Sequence, residues 1–309
     1  SCSMNADAAS TGRLLPSFLL TCSMLFWSAN AVVSRAGSFH VPTTGLAFWA
    51  WVVAFVLLTP WAIRNVIRQR HAILKHWKWI SVMGILGIGL FPQFLYGALG
   101  LTHSINVSLI NTATPAWIVA LSWLFFRDLV SWKMLLGMTC GFLGVAVVVT
   151  QGRLDSLQEV EFVLGDLVML IGIVVWAVYS ILLRYRPSEI DALALLWAMI
   201  PPAFVVSGAV YFSGVFYPWE FDPVPENLVF LAYCGVFPTV LAYVCFNAGA
   251  KALGANSAGQ FLFLPPLFTA ILAVVFLDET FELFHLISLL LIFVGLYLAN
   301  TAGAKKENT

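Results

Sequence analysis

Ten stretches of about twenty apolar residues follow one another along this chain, with almost no charge inside them. A helix needs about 20 mostly apolar residues to cross a bilayer. The stretches are 14–33, 43–62, 79–101, 104–126, 131–150, 164–184, 191–213, 226–250, 255–276 and 283–302. Between the third and fourth only two residues intervene, which forces an antiparallel hairpin. Composition points the same way: of 309 residues, 61% are hydrophobic and 10% charged, against about 25% charged in a soluble domain. A soluble surface could not cover so much apolar side chain. The expected fold is an all-α polytopic membrane protein with ten transmembrane helices, its partner a lipid bilayer.

Charge excludes some functions and sets an orientation. Fifteen Lys and Arg balance fifteen Asp and Glu, so no net field is present to hold nucleic acid. The five cysteines show no paired spacing and no Cys/His cluster, so neither a disulfide framework nor a metal site is expected. No cofactor motif is present either. The first apolar run lacks a small-residue cleavage site and reads as a span. With the N-terminus placed in the cytoplasm, thirteen of the fifteen Lys and Arg fall inside, and only Arg35 and Arg153 fall outside. Basic residues favour the cytoplasmic side, so both termini are expected there.

The two halves repeat when slid by about 150 residues. Trp27 through Arg35 matches Trp176 through Arg184, and Gly89-Leu90-Phe91-Pro92 matches Gly235-Val236-Phe237-Pro238. Pro115 matches Pro266, Asp128 matches Glu279, and Gly144 matches Gly295. Five spans per half is an odd number, so the halves must insert as two inverted five-helix repeats. Such repeats characterise secondary transporters, whose substrate sits near the midplane between them. The organisation expected is a polar leader (1–13), a first repeat (14–150), an external connector (151–163), an inverted second repeat (164–302) and a cytoplasmic tail (303–309).

Polar side chains inside a span should face the bundle or an aqueous cavity. One helical face of the first span carries Ser23, Trp27, Asn30 and Ser34, and its repeat partner carries Gly172, Trp176, Tyr179 and Leu183. The third and eighth spans show Gln93 with Tyr96, and Thr239 with Tyr243 and Asn247; the fourth and ninth show Asn111, and Gln260 with Phe263. The expected cavity lining is Trp27, Asn30, Gln93, Tyr96, Asn111, Trp117, Trp176, Tyr179, Tyr243, Asn247, Gln260 and Phe263, on spans one, three, four, six, eight and nine. For a lone Ser or Gly, ordinary helix packing is the simpler account. Pro92, Pro115, Pro238, Pro265 and Pro266 each remove a backbone donor and invite kinks; they serve as hinges for alternating access or as plain structural bends. Spans five and ten, with Gly137, Gly141 and Gly144, lack a polar stripe and are expected at an outer face, in a monomer or a homodimer joined there.

The Trp-to-Arg first helices, the prolines of the fourth helices, the acidic turns after them and the glycine-rich fifth helices resemble the drug/metabolite transporter superfamily, EamA type. The likeness covers residues 14–302, and within the family it is nearest to bacterial aromatic amino-acid exporters. One departure is Asp128, where such proteins commonly carry Glu. The resemblance implies a secondary transporter of the bacterial inner membrane that exports a small molecule. The alternative is a broad-specificity exporter of drugs or neutral metabolites, proton-coupled or not. No Asp, Glu, Lys or Arg lies mid-span, which favours facilitated passage of a solute without large net charge. No nucleophile–base set, HExxH or intramembrane acid pair is present, so an enzyme is not expected.

Overall fold

The computed structural model describes residues 2–36, 43–102, 104–153, 163–215, 224–277 and 280–303. Pro42, His103, most of the connector, Pro218, Phe221, Pro223, the Asp278-Glu279 turn and the tail from 304 onward lie outside the described residues, as does the side chain of Arg35.

Every regular element among the described residues is helical. Among the described residues, nine helices are long and apolar enough to cross a membrane: α1 (Arg13–Ser34), α2 (Gly45–Arg68), α3 (Trp77–Leu101), α4 (Asn106–Phe126), α5 (Trp132–Val149), α6 (Leu164–Tyr185), α7 (Ala192–Ser213), α8 (Pro225–Leu253) and α9 (Ala255–Phe276). A tenth, α10, has its apolar part at Leu283–Ala299. The chain is an all-α, multi-pass membrane protein. The helix containing α1 begins at Cys2 and so takes in the polar leader.

The packing has the pattern of two related halves. α1 lies on α8 and α9, and α6 lies on α3 and α4. α2 packs on the middle of α8 as α7 packs on the first half of α3. α5 and α10 form the most extensive helix pair, and glycine explains why. A Cβ placed on Gly137 would stand 2.6 Å from the Gly295 carbonyl oxygen, and one on Gly295 would stand 2.6 Å from that of Gly137. Gly141 lies under the Phe263 ring and Gly144 against Ile292. The small-residue faces of spans five and ten are therefore consumed inside the chain, against each other. What these helices turn outward is bulky: Leu135, Phe142, Leu290, Phe293 and Tyr297 are all exposed.

Helices α3, α4, α8 and α9 are each interrupted at or beside the prolines. α3 passes through a π-helical stretch, Gly84–Leu90, immediately before Phe91-Pro92. α8 does so at Gly235–Leu241, which contains Pro238. α4 breaks between Asn111 and Thr114, and α9 tightens to a 3₁₀ turn at Phe261–Phe263 ahead of Pro265 and Pro266. Proline fits the first turn of a new helical segment, where its missing N–H is not needed. The carbonyls it leaves behind need other donors, and those donors build the site.

Candidate functional site

Side chains donate to backbone carbonyls at and around these breaks. The Trp27 indole N–H donates to the Pro238 carbonyl at 2.9 Å, and the Tyr243 hydroxyl to that of Gly87 at 2.7 Å. Ser23 and Ser28 of α1 donate to the carbonyls of Ala242 (2.8 Å) and Pro265 (3.1 Å). In α4, the carbonyl of Asn111, four residues before Pro115, accepts from the Thr114 hydroxyl at 2.6 Å. In α8, that of Cys234, four before Pro238, accepts from the Thr239 hydroxyl at 2.6 Å, which also reaches Gly235. Polar side chains that packing alone would leave costly in lipid are thus used on backbone, mostly across helices.

Between these contacts lies a cavity of about 190 Å³. Of the residues expected to line it, Trp27, Asn30, Tyr96, Asn111, Trp176 and Tyr243 do so, together with Pro92, Pro238 and Pro265. Trp27 stands edge-on to Trp176 at 5.6 Å and to Tyr243 at 6.0 Å, and Trp176 is edge-on to Tyr243 at 5.8 Å. Edge-to-face rings at these separations are the favoured geometry, worth about 0.5–1.5 kcal/mol per pair. The Cys234 thiol donates to Asn30 Oδ1 at 3.2 Å, and the Trp176 indole nitrogen is buried with no partner among the described residues. Among the described residues no charged side chain lines this space.

The remaining expected residues lie elsewhere. Tyr179 and Asn247 bond to each other at 2.6 Å below the Trp176 ring, with Phe246 alongside, and so belong to the floor. Gln93 and Gln260 are buried in the bundle, their amides without a partner among the described residues, and neither lines the cavity. Phe263 packs on Gly141 of α5, and Pro115 is buried in the α4 packing face. Trp117 points outward, 39% exposed. The buried face of its segment is Thr114, Pro115, Ile118, Val119 and Ser122, and position 117 falls off it.

One wall was not expected from the sequence. Leu46, Ala47, Ala50 and Trp51 of α2 line the cavity, with Trp51 edge-on to Tyr243 at 4.9 Å. α2 carries no polar stripe, which is why polarity missed it. The available signal was the row of small residues Ala47, Ala50 and Ala54 beside Trp51. It lets the helix approach so closely that a Cβ on Gly235 would lie 3.1 Å from the Ala54 nitrogen.

Next to the cavity lies a vestibule of about 960 Å³ that shares Trp27, Asn111 and Pro265 with it and includes Pro266. It runs toward the turn residues Gln151, Arg153, Thr280 and Glu282 at one end of the bundle. The other end carries Arg64, Arg68, Lys75, Lys78, Arg127, Arg184, Arg186 and Lys251, and is called the basic end. There, the floor of Trp176, Tyr179, Tyr243 and Phe246 separates the cavity from the surface. Below it Arg184 pairs with Asp128 at 2.6 Å and lies 3.7 Å over the Phe126 ring, joining α6 to the turn after α4. At the vestibule end Asp166 is buried at the start of α6, accepting from Thr102 (2.8 Å), Asn106 (3.2 Å) and the Val163 N–H (2.9 Å).

The model of the EamA-like transporter family matches residues 14–150 and 163–301. An uncharacterized transporter of Archaeoglobus fulgidus is 30% identical over 288 residues, spanning 91% of this chain and 95% of that protein. The uncharacterized transporters YyaM and YvbV of Bacillus subtilis are 27% and 25% identical; the first alignment covers 71% of this chain and 72% of YyaM, the second 94% and 92% of YvbV. A solved crystal structure superposes with a TM-score of 0.76 at 20% identity, covering 96% of this chain and 99% of that one, a likeness of fold.

Proposed function

The chain belongs to the EamA-like transporter family, and from that premise we propose that it moves amino acids with aromatic or bulky apolar side chains by alternating access. The observation that carries this reading is a cavity whose described lining residues are all uncharged and divide into two chemistries. Trp27, Trp51, Trp176 and Tyr243 offer ring edges and faces, while Asn30, Asn111 and Tyr96 offer neutral donors and acceptors. A ring-bearing zwitterion uses both: its side chain packs on the aromatics, and amides and hydroxyls solvate its opposite charges without a buried ion. Among the described lining residues there is no fixed cation, which a phosphorylated solute would require. A few contacts of about 0.5–1.5 kcal/mol each suit weak binding and ready release.

Passage is facilitated, down the solute's own gradient, from a cytoplasmic basic end to the exterior across a bacterial inner membrane. In that orientation the vestibule faces outward. A cysteine placed at Phe221 then reacts with an impermeant thiol reagent added outside intact cells, and one at Gln69 does not; the reverse pattern refutes the orientation.

The second reading, a proton-coupled exporter of drugs or neutral metabolites, is favoured by one feature: Asp166 is the buried carboxylate among the described residues. Buried intramembrane acids commonly serve proton coupling. Uptake of labelled phenylalanine, tryptophan, threonine and a cationic dye into proteoliposomes, with and without a pH gradient, separates the two. Phenylalanine and tryptophan uptake indifferent to the pH gradient is the expected result. Uptake of the dye alone refutes the amino-acid reading.

A further inference from the structure

Two helices that build the cavity run on past its floor and end beside cations. α6 ends at Tyr185, just past the Trp176 and Tyr179 turns, and Arg186 is the residue that follows it; Lys251 lies one turn beyond Asn247 in the last turn of α8. The two ends meet. Lys251 Nζ donates to the Arg186 carbonyl at 3.5 Å, and the Tyr179–Asn247 bond lies between them and the cavity.

Arg186 is half-buried, and its Nε has no hydrogen-bond partner among the described residues. Burial lowers its pKa from the ordinary value, with Tyr179 and Asp191 near enough to offset part of that; a guanidinium stays charged regardless. The acids nearby are committed elsewhere. Asp128 holds Arg184, and Glu189 holds Lys75 at 3.4 Å and His76 at 2.9 Å. The Asp191 carboxylate caps α7 by accepting from the N–H groups of Leu193 and Ala194. A partly desolvated guanidinium with open donors is suited to bind a planar carboxylate.

We propose that Arg186, with Lys251 beside it, is the docking point for the carboxylate of the transported solute on the basic side of the floor. This rests on the transport reading above and adds a second station to it. When the basic end opens, Tyr179 and Asn247 separate, and the solute passes with its carboxylate at Arg186 and its ring toward Trp176. Selection for a carboxylate is then made at the gate, which explains how the midplane cavity can remain free of charge.

The test measures the concentration dependence of uptake in proteoliposomes for wild type, Arg186→Gln and Arg186→Lys. Phenylalanine is compared with phenylalaninol, which keeps ring and amine but has no carboxylate. For Arg186→Gln, KM for phenylalanine rises about tenfold, the weight of one charge-assisted contact. KM for phenylalaninol stays the same or falls, and Arg186→Lys lies between wild type and Arg186→Gln for phenylalanine. An unchanged KM for phenylalanine, or equal losses for both solutes, overturns the proposal. If the wild type moves neither solute, the substrate reading fails by itself, and thiol labelling decides the docking point. At Lys251→Cys a negatively charged methanethiosulfonate should react about fivefold faster than a positively charged one, a preference abolished by adding Arg186→Gln. A preference that ignores Arg186 overturns the proposal.

Discussion

Replacing Tyr243 with Phe removes one oxygen and keeps the ring, so it isolates a single bond between the two repeats. In the π-helical stretch of α3 the Phe91 N–H goes to Leu86. The next residue is Pro92, which has no N–H to give, so the Gly87 carbonyl takes its donor from the Tyr243 hydroxyl at 2.7 Å. A buried acceptor left unpaired costs about 1–3 kcal/mol in water-soluble proteins. Side-chain bonds inside membrane proteins average nearer 0.6 kcal/mol, with a maximum of about 1.7. We take about 1 kcal/mol, which is roughly fivefold in an equilibrium constant. Tyr243 belongs to the second repeat and Gly87 to the first, so the bond exists only while the floor is assembled. Tyr243→Phe should therefore shift the population toward an open basic end by about fivefold. Ala250, buried at the basic end of α8, supplies the reporter: modification of Ala250→Cys should speed up about fivefold when Tyr243→Phe is added. Thermal unfolding in detergent should move down by a few degrees at most. If neither the labelling rate nor the unfolding midpoint changes, the Gly87 carbonyl has another donor and the argument fails.

Other perturbations separate packing from function. Gly137→Leu puts a side chain where even a Cβ meets the Gly295 carbonyl, so it should abolish folded protein on size-exclusion chromatography, whereas Phe142→Leu on the outward side of α5 should leave yield unchanged. Trp176→Ala should reduce phenylalanine uptake at least tenfold at normal expression, and Trp117→Ala should leave uptake within twofold, since only the first ring borders the cavity. Cys234 borders the cavity while Cys140 does not, so a small thiol reagent should inhibit uptake through Cys234, saturating phenylalanine should slow that inhibition, and Cys234→Ser should remove it.

Much of this was fixed locally and so could be read from the chain. Long apolar runs leave a segment little choice but to be a membrane helix, and each proline states where a ladder must break. The face bearing Trp27 and Asn30, and its counterpart bearing Trp176, could be found because polarity at helical spacing has to be sheltered from lipid. Depth and partnership are not local. Gln93 and Tyr179 carry the same polar signal as Asn30, yet one is enclosed by neighbouring helices and the other is bonded to Asn247 within the floor. Trp51 carries no polar signal, yet it reaches the cavity because a row of alanines brings α2 against α8. The glycines of α5 announced a close contact, and only the packed structure named α10 as the partner. Sequence determines which residues must avoid lipid; the tertiary structure decides whether they do so against a cavity, a carbonyl or another helix, because that depends on what the rest of the chain places opposite them.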